Sequence, residues 1–214
     1  TLFIEQFYKT VHATKPWVKV GISPFGIYRN LKSSNIGSNT NGTQNYDDLY
    51  ADILLWVING WLDYNVPQVY WEIGNKAADY DTLIRWWNQY AYGRPLIIGE
   101  DVERTVKYTD PQNPNSHQLA FIMRLHQQLP GVKGTVLWYA KAAVDNVGNY
   151  GTALRNTYWR YSALQPDMSF IDSKTPGKVR KVKPVWTEDG YILFCTAPKG
   201  KDWRDTATKY VVYC

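Results

Sequence analysis

Residues 47–74, DDLYADILLWVINGWLDYNVPQVYWEIG, change period halfway along. In the first part Leu49, Ile53, Trp56 and Val57 recur at helical spacing and Gly60 stands where a helix would stop, which predicts a helix from about Asp47 to Gly60. DYNVPQVYW then reads as a short apolar strand. A helix that leads straight into a strand is the repeating unit of a parallel sheet, because parallel neighbours need a crossover and a helix supplies it. The strand ends on Tyr70, Trp71 and Glu72, an acid beside two aromatics. A buried strand closed by a salt-bridged glutamate would show the same residues.

The alternation continues in both directions. Residues 2–14 place Phe3, Ile4, Phe7, Tyr8 and Val11 on one helical face before Pro16, and WVKVGIS (17–23) reads as the first strand. Downstream, a helix is predicted from about Asp79 to Tyr92, a strand over PLIIGED (95–101), and a polar loop at KYTDPQNPNS. Next come a helix from His117 to Leu129, a strand over GVKGTVLWY (131–139) and a last helix from about Thr152 to Leu164. Four such units, at about 40 residues each, make half of a (β/α)8 TIM-type barrel. An open doubly wound sheet is the alternative, but no glycine-rich phosphate loop follows any of these strands.

After the Pro-, Gly- and Lys-rich linker SKTPGKVRKVK (173–183) the texture changes to short alternating runs near Val179–Val185, Tyr191–Thr196 and Tyr210–Cys214, with turn residues between them. This predicts the opening strands of an all-β sandwich. The expected organisation is α/β over residues 1–171, half of a barrel, followed by a truncated β segment over 172–214. Both ends, TLFIEQF and YVVYC, resemble cuts through folded elements, so a fragment is expected. A half barrel would expose two sheet edges and is expected to self-associate.

Composition excludes several classes. The 214 residues carry a net charge of +5, but residues 172–214 hold nine Lys or Arg against five Asp or Glu, so the rest is nearly neutral. A basic linker explains that distribution better than a nucleic-acid face, and no nucleic-acid partner is expected. No stretch approaches the ~20 apolar residues of a membrane span. Cys195 and Cys214 have no metal-ligand spacing, and His12, His117 and His126 are scattered, so neither a metal nor a cofactor is expected.

In either architecture chemistry belongs at the C-terminal ends of the strands. Those ends read Ser23-Pro24-Phe25-Gly26, Tyr70-Trp71-Glu72, Glu100-Asp101 and Trp138-Tyr139, and the Ser-, Asn- and Gly-rich loop LKSSNIGSNTNGTQNY (31–46) follows the first of them. Glycosidic hydrolysis needs carboxyl groups at the scissile bond, and aromatic faces supply apolar contact area for sugars. The catalytic candidates are therefore Glu72, Glu100 and Asp101. Strand alternation lets only one of Glu100 and Asp101 face the mouth, and puts Gln68, Tyr70 and Glu72 on one side with Val69 and Trp71 on the other. Candidate sugar contacts are Gln68, Tyr70, Trp71, Trp138 and Tyr139, with Asn75 and Asp145 just beyond strand ends and Arg29 and Asn30 at the start of the long loop. Each has a structural reading beside the functional one, as ion-pair partner, cap or turn residue.

The segments KPWVKVGISPFGIYRN (15–30), YDDLYADILLWVINGWLDYNVPQVYWEIG (46–74) and ADYDTLIRWW (78–87) resemble the bacterial glycoside hydrolase-like family ten. The resemblance implies a (β/α)8 barrel in exported, extracytoplasmic proteins, often followed by a fibronectin type III-like module, which residues 176–214 resemble. It also implies cleavage of glycosidic bonds in polysaccharide or peptidoglycan-type glycans by carboxyl acid/base chemistry. The family's acidic Asp-Asp-Tyr-Phe-Tyr-Pro type motif is absent, and its expected place lies upstream of Thr1. Key acids are then expected outside this chain, which alone is expected to be inactive. A barrel that binds glycan without cleaving it is the competing expectation, and a purely structural module a weaker one.

Overall fold

The computed structural model describes residues 1–174, 177–200, 206–207 and 209–212. The chain divides into two compact units, Thr1–Tyr161 and Ser162–Cys214.

The first unit is built on a parallel sheet of β1 (Gly21–Ile22), β2 (Tyr64–Asn65), β3 (Leu96–Asp101) and the strand Val132–Trp138, which is β6 in chain order. Strand order in space follows order in sequence, and no reversal marks a doubly wound switch point among the described strands. Helices α1 (Leu2–Thr14), α2 (Ile53–Ile58), α3 (Tyr80–Gln89) and α5 (Leu119–Gln128) alternate with these strands. One sheet face is packed: Leu96 and Ile98 of β3 are buried in one cluster with Leu83, Ile84 and Trp87 of α3 and Ile122 of α5. The opposite face is open at β6, where Val136 is 48% and Trp138 56% exposed.

Helix starts follow side-chain chemistry. Asp52, Asp79 and Asp101 each accept a backbone N–H from the residue three positions on, which satisfies an otherwise orphaned donor at the start of α2, α3 and α4 (Val102–Lys107). At the start of β2, Asp63 is fully buried and accepts from the Val20 N–H at 2.7 Å and the Tyr8 hydroxyl at 3.0 Å, with His12 Nε2 also at 3.0 Å. Burial and this contact push the Tyr8 hydroxyl up to about 12. Asp63 thus ties α1 to the sheet, and only the Ile4, Tyr8, Val11 side of that helix packs, while Phe3 is 74% exposed.

Several elements depart from the sequence reading. The helix expected from Asp47 begins only at Ile53, because Asp47 and Asp48 are drawn into side-chain bonds with Arg29 and the Gln44 N–H, and Tyr50 takes a left-handed φ of 54°. The polar loop at 107–116 contains the antiparallel pair β4 (Thr109–Asp110) and β5 (Asn113–His117). The helix expected from about Thr152 to Leu164 is reduced to α7 (Tyr150–Ala153) and a π-turn Leu154–Tyr158, with residues 159–164 non-helical, and a further short helix α6 (Ala140–Val144) and a 3-10 turn precede it.

In the second unit β7 (Arg180–Thr187) and β8 (Gly190–Thr196) form an antiparallel hairpin. Gly190 has φ 118°, a conformation few other residues adopt, and the Thr187 hydroxyl donates to its carbonyl at 2.8 Å. Of the third expected strand, Tyr210–Val212 are described and are not in a strand, while residues 213–214, including Cys214, lie outside the described residues.

Candidate functional site

The sheet register brings the strand ends onto one face. Phe25 bridges Gln68, Gln68 bridges Gly99, and Gly99 pairs with Val136. Two residues further along, Asp101 is the register partner of Trp138. Side chains on a strand return to the same face every second residue, so Asp101 and Trp138 stand above the row of Gly99 and Val136.

Tyr70 completes this upper level. Its ring stacks on Trp138 with centroids 6.1 Å apart and planes 26° apart. Strands β2 and β6 flank β3, about two strand spacings or ~10 Å from one another, so the rings lean together over the end of β3. Beneath them Gly99 allows the backbones to approach: a Cβ there would come within 3.1 Å of the Pro67 carbonyl and 3.2 Å of the Gln68 Cα. Burial first, and then the Asp101 charge, raise the Tyr70 hydroxyl above its ordinary value. Asp101 also caps α4 through one oxygen. Below, Gln68 Nε2 donates to the Ser23 carbonyl at 3.1 Å and its hydroxyl at 3.2 Å. Tyr139, joined to Trp138 by a cis peptide bond, donates its hydroxyl to Glu103 at 3.1 Å.

Glu100 points the other way and is 1% exposed. The Tyr80 and Tyr150 hydroxyls donate to its two oxygens at 3.0 and 3.1 Å, and His126 Nε2 lies 3.2 Å away. Burial pushes Glu100 up to about 7, against the two hydroxyls that favour its ionised form. Burial pushes His126 down to about 4, so its contact with Glu100 near neutral pH is that of an uncharged imidazole, not an ion pair.

The remaining candidates lie in other surroundings. Glu72 accepts from Asn75 at 2.8 Å and Arg104 at 3.1 Å; burial opposes its charge, but these bonds and one from its own backbone hold the carboxyl below its ordinary value. Asn75 also accepts the Ala77 and Ala78 N–H groups, and so shapes the turn before α3. Trp71 is half-buried against the core, above Gly26. Arg29 donates twice to Asp47, at 2.8 and 2.6 Å, and stacks 4.5 Å over the Tyr46 ring. Asn30 is buried and binds Thr40, Gly42 and Gln44, giving the long loop a polar interior of its own. Asp145 pairs with Lys141 one helical turn away.

Sequence reasoning did not single out Arg104, Tyr80, His126 or Tyr150. Each is joined to its acid across more than 20 residues or from another element, and no local spacing carries that information. Among the described residues no group of three or more His, Cys, Asp or Glu could hold a metal, and no helix is long and apolar enough to cross a membrane. What remains on the open face is a slanted aromatic pair with a carboxylate at its edge, a surface that can take the apolar face of a sugar ring and a hydroxyl beside it.

The glycosyl hydrolase-like 10 family matches residues 1–111, just over half of the chain. Glycosyl hydrolase YngK of Bacillus subtilis is 36% identical over 214 residues, which cover 98% of this chain and 42% of that protein. Glycosyl hydrolase DigH of Escherichia coli O6:H1 is 46% identical over 144 residues, 60% of this chain and 31% of DigH, and DigH of strain K12 is 46% identical over 78 residues, 36% of this chain and 18% of DigH. The chain thus spans less than half the length of these relatives. With the family match resting on the segments that carry β1, β2 and β3, the chain belongs to the glycosyl hydrolase-like 10 family.

Proposed function

We propose that residues 1–161 are the C-terminal half of a (β/α)8 barrel in an extracytoplasmic glycoside hydrolase, and that the open face of the sheet is part of its glycan cleft. The observation that carries this reading is the Tyr70–Trp138 pair beside Asp101 at the C-terminal ends of consecutive parallel strands. Barrel enzymes place their chemistry at that end. Glycans of polysaccharide or peptidoglycan type are the substrate class, and Asp101 is the carboxyl this chain brings to the acid/base pair. The β7–β8 hairpin is consistent with the opening of a fibronectin type III-like module.

The second reading, a barrel that binds glycan without cleaving it, is favoured by one fact: Glu72 is engaged by Arg104 and Glu100 faces inward, so Asp101 is the one candidate carboxyl beside the aromatic pair. The partner acid would come from the preceding half.

The test is turnover of a panel of glycans by this chain and by the full-length parent, each with and without Asp101→Asn. The parent is expected to lose about 10²-fold or more in kcat on that substitution, and this chain alone to show little turnover. A parent that binds these glycans but turns none of them over, with binding weakened by Asp101→Asn, supports the second reading instead. Equal turnover by chain and parent overturns the proposal.

A further inference from the structure

Glu100 adjoins Asp101 on β3 and faces the packed side of the sheet. Its partners are not random core residues. Tyr80 is the first residue of α3, and its backbone N–H lies 3.4 Å from the Glu72 carbonyl, so it closes the loop that leaves Tyr70. Tyr150 is the first residue of α7 and closes the segment that leaves Trp138. Both hydroxyls end on one carboxyl, that of the residue before Asp101, on the opposite face of β3 from the Tyr70–Trp138 pair. His126 of α5 is the third group facing it; the Tyr80 hydroxyl is 2.7 Å from its Nε2, and the same imidazole lines a cavity of about 230 Å³ with Met123, Thr135 and Tyr158.

Two proton arrangements fit these distances. With Glu100 ionised, Tyr80 and Tyr150 each donate to one oxygen and the neutral imidazole donates from Nε2. With Glu100 protonated on the oxygen beside Tyr80, its O–H donates to the Tyr80 oxygen, the neutral His126 carries its proton on Nδ1, and the Tyr80 proton turns to the freed Nε2, while Tyr150 still donates to the other oxygen. A hydroxyl has one proton to give, so a Tyr80 oxygen that accepts from Glu100 must donate to His126 instead. Tyr80 is the first residue of α3, so the exchange acts where that helix meets β3.

We propose that Glu100 is a positioning residue: through Tyr80 and Tyr150 its carboxyl sets the spacing of Tyr70 and Trp138 beside Asp101, and its protonation, exchanged with solvent by way of His126, changes that spacing with pH. Its consequence for ligand binding rests on the reading of this face as a glycan cleft. The burial that raises Glu100 into the neutral range places the change where it can be observed.

The experiment is ¹⁹F NMR of the whole chain labelled with 5-fluorotryptophan, followed from pH 5.5 to 8.5, with the Trp138 resonance identified by its loss in Trp138→Phe. In the native chain that resonance is expected to move with a midpoint near 7, and Glu100→Gln to abolish the movement. Absence of movement in the native chain, or the same movement in Glu100→Gln, overturns the proposal. Where Glu100→Gln does not fold, Tyr150→Phe decides: a displaced Trp138 resonance supports the proposal, and an unchanged one overturns it. A second arm adds an N-acetylglucosamine hexamer. A native chain whose Trp138 resonance titrates but ignores the hexamer keeps the role of Glu100 and counts against the glycan reading.

Discussion

Glu100 and His126 pull the stability of the fold in opposite directions. Glu100 rises from 4.5 to about 7, so the folded chain keeps a proton that the unfolded chain has lost; that contribution is complete below 4.5 and disappears as pH rises through 7. His126 falls from 6.5 to about 4, so its contribution is complete above 6.5 and disappears as pH falls towards 4. Between 4.5 and 6.5 the two slopes cancel. Urea midpoints of the native chain are therefore expected to vary little from this pair across that window, whereas Glu100→Gln leaves the histidine alone and stability should climb by about 2–3 kcal/mol from pH 4 to 6.5. A flat profile in the variant would refute the assignment. The strand reading alone separated Glu100 from Asp101 by face but not their roles, since the tyrosines that enclose Glu100 lie 20 and 50 residues away.

At the level of elements, the sequence was most legible where apolar period and a cap agree. α3 has both: its apolar positions face the core, and Asp79 accepts the Thr82 N–H at 2.9 Å, the Thr82 hydroxyl at 2.8 Å and the Gly74 N–H at 2.6 Å. Asp79→Ala is expected to cost about 1–2 kcal/mol, read from the shift in urea midpoint. The first turn of the helix expected at Asp47 failed for the converse reason: its acidic residues found partners outside a helix, in Arg29 and the Gln44 N–H. The β4–β5 pair was illegible, because NPNSH has neither alternation nor branched residues, and its strands hold by backbone bonds beside the buried acid Asp110. α4 was hidden for lack of length.

For the first unit as a whole, the apolar surface left open is consistent with a missing neighbour. Val136 and Trp138 of β6 and Leu2, Phe3 and Phe7 of α1 are all exposed, on the last strand and first helix of the unit. Light scattering is expected to find the chain self-associated at micromolar concentration, and Phe3→Ser with Val136→Ser to shift it towards monomer; a clean native monomer would count against the half-barrel proposal. The order of the parallel strands followed from the alternation in sequence. Which strands are open on one face did not, because a strand buried on both sides and one buried on a single side can carry the same short apolar run.

The sequential strand order has a consequence for how the chain comes to exist. Each parallel strand pairs with the next parallel strand along the chain. No pairing in this sheet has to wait for a distant segment, so on a ribosome the sheet can be laid down one unit at a time, in the order of translation. In the proposed barrel β6 is the last strand to emerge, and the one that closes the ring against a strand already made.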